Sequence, residues 1–217
     1  MNAFFPVRRA LFLIALLLPG LGLAQTPEKA FVEGKDYQAV ERPWAQSGPA
    51  IRVEEFFCYC CPHCYHADAG IEAWKARKAA DVDFVRVANS LGRADGAALA
   101  EAFYVAQALG VGEKIHTPLF RAVHEEHLDT TDLAALKDFF QRTAGISPAD
   151  YDRAADSLAV RLENEKAVAL SRQYKIIGVP TVVVGGRYVT SPVMTGSEDR
   201  WIETIRFLTD KVRAERR

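Results

Sequence analysis

Outside residues 58–64 the 217-residue chain has no cysteine at all. No disulfide can therefore tie remote parts of it together, which excludes the stapled framework that small exported proteins often use. It also lacks an excess of either charge: 27 Lys and Arg stand against 28 Asp and Glu, a formal net charge of −1. Nothing in that balance draws the chain to nucleic acid or to an acidic membrane surface. Long apolar runs are missing too. The longest, Ala10–Leu18, has nine residues, whereas crossing a bilayer takes about 20. Internal repeats and low-complexity stretches are absent, which excludes solenoids and arrays.

What is present at the start reads as a secretory signal peptide over residues 1–24. Arg8 and Arg9 make a basic segment, the apolar run follows, and Pro19-Gly20 breaks it. Gly22 and Ala24 then put small residues at −3 and −1 of a cleavage site before Gln25. Removing 24 of 217 residues leaves 193, enough for one sizeable core, and losing the two arginines takes the formal charge to about −3. The exported chain is expected to be soluble.

Ile51 to Phe57 (IRVEEFF) is rich in β-branched and aromatic residues after the breaker Gly48-Pro49 and predicts a buried strand. Helical periodicity then runs from about Cys61 to Ala80, and Val82 to Val87 alternates as a second strand. Strand, helix and strand suit a parallel crossover. Alanine-rich amphipathic segments follow at Ala97–Leu109, Lys114–His127, Asp132–Ala144 and Pro148 to about Tyr174, the last broken near Ser157. Val179–Val184 and Arg187–Val189 flank Gly185-Gly186 as a hairpin, and Ser197 caps a final helix reaching about Arg213. The order is β-α-β, a helical block, then β-β-α, an α/β protein.

All four cysteines, Cys58, Cys60, Cys61 and Cys64, fall within seven positions. If a helix starts at Cys61, Cys61 and Cys64 lie three apart on one face, with Cα atoms about 5–6 Å apart, which suits a short-loop disulfide. Cys58 and Cys60, on an extended strand end, have Cα atoms about 6.5 Å apart and parallel side-chain directions, a poor bridge. Cys61–Cys64 is the favoured pair. Cys61 also sits where unpaired amides and the positive end of a helix dipole converge, and protonated His63 adds charge nearby. Both favour thiolate over thiol, and a stabilised dithiol makes its disulfide more oxidising.

Glu55-Phe56-Phe57, Cys61-Pro62-His63-Cys64-Tyr65 and Gly178-Val179-Pro180-Thr181 closely resemble the DsbA family of periplasmic thiol–disulfide oxidoreductases. The resemblance implies a thioredoxin-like fold with an inserted α-helical subdomain. Residues 25–91 and 175–217 would form the thioredoxin-like domain and residues 92–174 the insertion. It implies that Cys61 is the nucleophile, Cys64 the resolving thiol, and His63 the stabiliser of the Cys61 thiolate. Pro180 would be a cis-proline facing the disulfide, with Val179, Pro180 and Thr181 receiving substrate, and Glu55 a buried acid assisting proton transfer at Cys64. The partners implied are reduced exported polypeptides and a membrane quinone-linked thiol oxidase, with no bound cofactor or metal, in a periplasmic monomer.

Cys58 and Cys60 depart from the family pattern. They are expected to act as small buried hydrophobes, the other readings of this pair being a regulatory or shuttle thiol pair and a soft-metal site. Two other readings stay open: a reductase or isomerase on the same frame, and a copper- or zinc-binding protein using the cysteine cluster. His116, His124 and His127 are expected to be solvated. Phe103, Tyr104, Phe120, Phe139 and Phe140 are expected in the core of the helical block.

Overall fold

The computed structural model describes Met1, residues 30–43 and residues 48–216. The expected signal peptide, Met1 apart, lies outside the described residues. The elements run β1 (Gln38–Ala39), β2 (Ile51–Phe57), α1 (Pro62–Lys75), β3 (Val82–Ala88), α2 (Ala94–Ala108), α3 (Gly112–His124), α4 (Leu133–Ala144), α5 (Pro148–Ala155), α6 (Leu158–Gln173), β4 (Thr181–Val184), β5 (Tyr188–Thr190), α7 (Pro192–Thr195) and α8 (Glu198–Glu215). Five strands make one sheet in the order β1-β5-β4-β2-β3. β2 pairs parallel to β3, and antiparallel to β4, which itself pairs antiparallel to β5. This is a thioredoxin-like sheet with five helices, α2 to α6, inserted between β3 and β4.

Central position explains the composition of β2. It has a neighbour on each side, and all of its residues except Arg52 are buried. Two apolar clusters enclose the sheet. One joins Ile51, Val53, Val182 and Val184 to Ile71 and Trp74 of α1 and to Trp201, Ile205 and Leu208 of α8. The other joins Phe56, Phe57 and Val183 to the inserted helices through Phe103, Phe120, Phe139 and Phe140. Each fully buried large side chain stabilises the fold by about 1.5–3 kcal/mol relative to exposure. The five aromatics expected in the helical block are all buried there.

Several boundaries move from those expected. α1 stops at Lys75 rather than Ala80, because the Arg77 amide tightens onto Trp74 O at 3.0 Å and the chain must reverse to lay Val82 beside Ile51. Parallel pairing there overrides the helix propensity of Ala79 and Ala80. α3 ends at His124 rather than His127, which is left-handed at φ 54. The long segment after Pro148 does break where expected. Asp156 ends α5, and the Ser157 hydroxyl accepts from the Val160 amide to start α6. Gly185 and Gly186 both take positive φ, 64 and 66, as the central pair of the turn that the Arg187 amide closes onto Val184 O at 3.0 Å.

The Ser157 cap is a test of this boundary. Ser157→Ala should lower stability by about 1 kcal/mol in chemical denaturation and leave thiol chemistry at α1 unchanged.

Candidate active site

β2 ends at Phe57, and the chain turns at once: the Cys61 amide donates to Cys58 O at 3.1 Å. Cys61 is the N-cap of α1 in an extended conformation, with no side-chain cap and Pro62 following at the first helical position. Proline costs nothing there, since that amide has no helical partner. Cys61 is half-buried and Cys64, one turn along, is 1% exposed. Facing them is the segment before β4. The Val179–Pro180 peptide is cis, Cys61 Sγ lies 3.5 Å from Val179 O, and Thr181 Oγ1 donates to Gly178 O at 2.8 Å.

The two thiols differ sharply in acidity. The Cys64 thiol hydrogen-bonds to the Cys61 sulfur and is the largest influence holding its pKa down, to about 5, against the opposing effect of burial. Backbone amides of Cys64 and His63 add to this, and the charge of His63 contributes least. The helix-start amides and His63 act in the expected direction, but the neighbouring thiol outweighs them. Burial pushes Cys64 the other way, far above the ordinary thiol range, and its bond to Cys61 adds to that. One sulfur is thus a thiolate at neutral pH and the other keeps its proton.

Cys58 and Cys60 overturn two expectations. They are disulfide-bonded, with Cα atoms 5.1 Å apart, while Cys61 and Cys64 are free thiols. The poor bridge assumed an extended strand through residue 60. Because β2 stops at Phe57 and residues 58–61 form a turn, the two Cα atoms are drawn within disulfide reach. They are not simply small hydrophobes.

Beneath the cysteines lies a buried polar chain that the sequence reading missed apart from Glu55. Arg86 Nε donates to Glu55 Oε2 at 3.0 Å, and Arg86 Nη2 approaches Glu72 Oε1 at 2.5 Å and Asp68 Oδ1 at 3.6 Å. His116 bridges Asp68 Oδ1 and the Tyr59 hydroxyl, at 2.9 Å each. His116 is therefore buried rather than solvated, because the first turns of α3 pack against α1. His124 is half-buried as well, with Nε2 2.7 Å from Tyr59 O and its ring stacked on Tyr65 at 4.9 Å; only His127 is exposed. A sequence signal existed for part of this. Pairing IRVEEFF with VDFVRVA from their first residues sets Glu55 opposite Arg86.

Burial pushes the Glu55 carboxyl above its usual range despite Arg86. At Asp68 burial is outweighed by His116 and Arg86, which hold the carboxyl below its usual range. Asp68, Glu72 and His116 each bring a ligand atom within 4.8 Å of one another. The guanidinium of Arg86 supplies a cation beside two of them, and the cluster is a salt-bridged network.

Comparison with known proteins agrees with this geometry. A family profile described as DSBA-like thioredoxin domain matches residues 69–201. A thiol:disulfide interchange protein DsbA of Burkholderia cepacia is 37% identical over 193 residues, 88% of this chain and 90% of that protein. With so little of the chain left out, the match cannot begin beyond Cys64. The DsbA of Pseudomonas aeruginosa is 31% identical over 85% of the chain and 87% of its own length. Among solved structures, a Pseudomonas aeruginosa DsbA variant superposes with a TM-score of 0.80 at 31% identity, covering 85% of this chain and all of that one. The Xylella fastidiosa DsbA gives 0.78 at 31% identity, over 84% and 98%.

The Cys61 thiolate sets a pH dependence. Its stabilisation of the reduced form is complete above the ordinary thiol pKa of about 8.5 and is lost as pH falls through about 5. Alkylation of the reduced protein at Cys61 should hold its rate from neutrality down to about pH 6 and then fall with a midpoint near 5. A midpoint near 8.5, as for a free thiol, would refute the assignment.

Proposed function

The chain belongs to the DsbA family of thiol–disulfide oxidoreductases, and on that premise we propose that it oxidises newly exported polypeptides by donating a Cys61–Cys64 disulfide. The observation that carries this reading is the asymmetry of the two thiols, one ionised and partly exposed, the other protonated and buried. A client thiolate attacks Cys61 Sγ, the Cys61–Cys64 bond breaks, and Cys64 leaves and takes up a proton. A second client thiolate then attacks the client sulfur of the mixed disulfide. Cys61 leaves as a thiolate, and its low proton affinity makes it a good leaving group. The client departs with its own disulfide and the enzyme as a dithiol.

Three further roles belong to the same proposal. Val179, Pro180 and Thr181 receive the client: β4 pairing begins only at Thr181, which leaves the backbone before it open to an extended chain. His63 supports the Cys61 thiolate by its charge. Glu55, whose carboxyl is pushed up by burial, makes ionisation of Cys64 still harder when it is charged, and as an acid it is the proton source for Cys64 as it leaves. Residues 25–91 and 175–217 act as the frame of the site and residues 92–174 as its cover. The enzyme works in the periplasm after export, as a monomer. A membrane quinone-linked thiol oxidase restores its disulfide, and the exchange itself requires no cofactor. Among the described residues no helix is long and apolar enough to cross a membrane.

Reductases and isomerases share the frame but not a strongly stabilised dithiol, so equilibrium against glutathione decides between them. The Cys61–Cys64 couple should be far more oxidising than thioredoxin, whose potential is about −270 mV; a value there would make the chain a reductase. His63→Ala should raise the Cys61 pKa and shift the potential toward the reducing side by only part of the whole effect, since the backbone and Cys64 contributions survive.

Substitution of the cysteines tests the roles directly. Cys61→Ala should abolish thiol exchange with a reduced client. Cys64→Ala should accumulate mixed disulfides with clients, visible on non-reducing gels, and failure to trap any would count against Cys64 as the resolving thiol.

A further inference from the structure

Cys58 and Cys60 hold a disulfide in the same molecule in which Cys61 and Cys64 are reduced. Their surroundings are built around it. Cys58 is buried, and the Cys60 amide donates to Cys58 Sγ at 3.2 Å. Helix α2 closes over the pair at Gly96, where a Cβ would stand 3.1 Å from both sulfurs. The pair is also in touch with the reactive cysteines. The bond from the Cys61 amide to Cys58 O closes a four-residue turn, so the two Cα atoms lie within about 7 Å, inside or close to disulfide reach. The Cys58 backbone amide also reaches the Cys64 sulfur.

We propose that Cys58–Cys60 is a second redox centre and the resting place of the first disulfide the chain acquires, so that Cys61–Cys64 persists as a disulfide only after a second oxidation. The inference rests on the oxidase reading of Cys61 and Cys64. When a first oxidising equivalent arrives at Cys61–Cys64, Cys58 thiolate attacks Cys61 Sγ, that bond breaks, and Cys64 leaves and takes up a proton. Cys60 thiolate then attacks Cys58 Sγ, the Cys58–Cys61 bond breaks, and Cys61 leaves as a thiolate. One disulfide has replaced another, two thiols have given up protons and one sulfur has gained one, and no electron has entered or left. Passage through Cys58–Cys61 avoids a bond between the adjacent residues 60 and 61.

This order protects the oxidase reaction. In the mixed disulfide with a client, an open Cys58 thiol could attack Cys61 and release the client still reduced. Closing Cys58 onto Cys60 removes that competitor and leaves Cys64 as the one remaining cysteine of the cluster that is free.

The test equilibrates the full exported chain in graded glutathione buffers, quenches with acid, alkylates free thiols and maps the products by mass spectrometry. The expected one-disulfide species carries Cys58 linked to Cys60 with Cys61 and Cys64 alkylated, and the two couples differ by at least about tenfold in equilibrium constant. A one-disulfide species linked at Cys61–Cys64, or alkylated Cys58 and Cys60 in the fully oxidised sample, overturns the proposal. Gly96→Ala should lower the equilibrium constant of the Cys58–Cys60 couple on the order of tenfold through overpacking and leave Cys61 alkylation unchanged; an unchanged constant would remove the role given to α2. Client oxidation by Cys58→Ser/Cys60→Ser distinguishes the two levels of argument. If it proceeds while the map places the first disulfide at Cys61–Cys64, only this inference falls; if it fails with Cys61–Cys64 formed, the oxidase reading falls.

Discussion

The hydrogen bond from the Cys64 thiol to the Cys61 sulfur is the interaction on which the rest of the site depends, because it divides one proton unequally between two chemically identical groups. Its geometry comes from the start of α1. A cysteine at the N-cap and another three residues on share a face, and burial of the second makes it a donor rather than a competing anion. The halves of the division reinforce each other: a protonated Cys64 stabilises the Cys61 thiolate, and that thiolate keeps Cys64 protonated. Proline after Cys61 costs no hydrogen bond. The carbonyl of Val179 faces the Cys61 sulfur across the gap, at 3.5 Å.

Below that pair, the sheet supplies a second layer of electrostatics. Glu55 and Arg86 are neighbours on adjacent parallel strands, and Asp68 and Glu72 of α1, His116 of α3 and Tyr59 of the turn before α1 extend the network. Breaking a buried network of this kind by removing one partner typically costs about 3–5 kcal/mol, because the charge left behind has no water to turn to. The network also leaves Glu55 poised: burial raises its carboxyl even with a guanidinium bonded to it. A group in that position changes the local field at Cys64 when it gains or loses a proton. The inserted helices therefore do more than cover the sheet, since α3 brings His116 and Thr117 to Asp68.

Much of this was legible in the residues. The span of β2, the break at Ser157, the hairpin at Gly185-Gly186 and the cap at Ser197 each carried a local signal, β-branched density or a turn or cap residue in the right place. β1 and α7 did not, because two and four residues are too few to display a period. The direction of the Cys61 shift followed from its place at a helix start, but its leading cause did not, since a hydrogen bond between two thiols depends on rotamers. His116 was misjudged for a related reason. A polar residue on an amphipathic helix looks solvated until the helix against which it packs is known, and here that helix offers Asp68.

The error at Cys58 and Cys60 is the most instructive, because where the extended run ends decides it. Had the strand continued through residue 60, alternate residues would have pointed the same way at a separation that strains a disulfide. Ending it at Phe57 converts the same sequence into a turn, draws the two Cα atoms to 5.1 Å, and sets Cys58 three residues before Cys61 in a hydrogen-bonded loop. Four sulfurs then occupy one short path with unequal claims on an oxidising equivalent. Cys61 gains from being an anion where Cys64 does not, so the pair containing it gains from reduction. The other pair is already closed, with α2 packed over it at Gly96. Electrons thus settle preferentially at the helix start, and the disulfide there is the one given away.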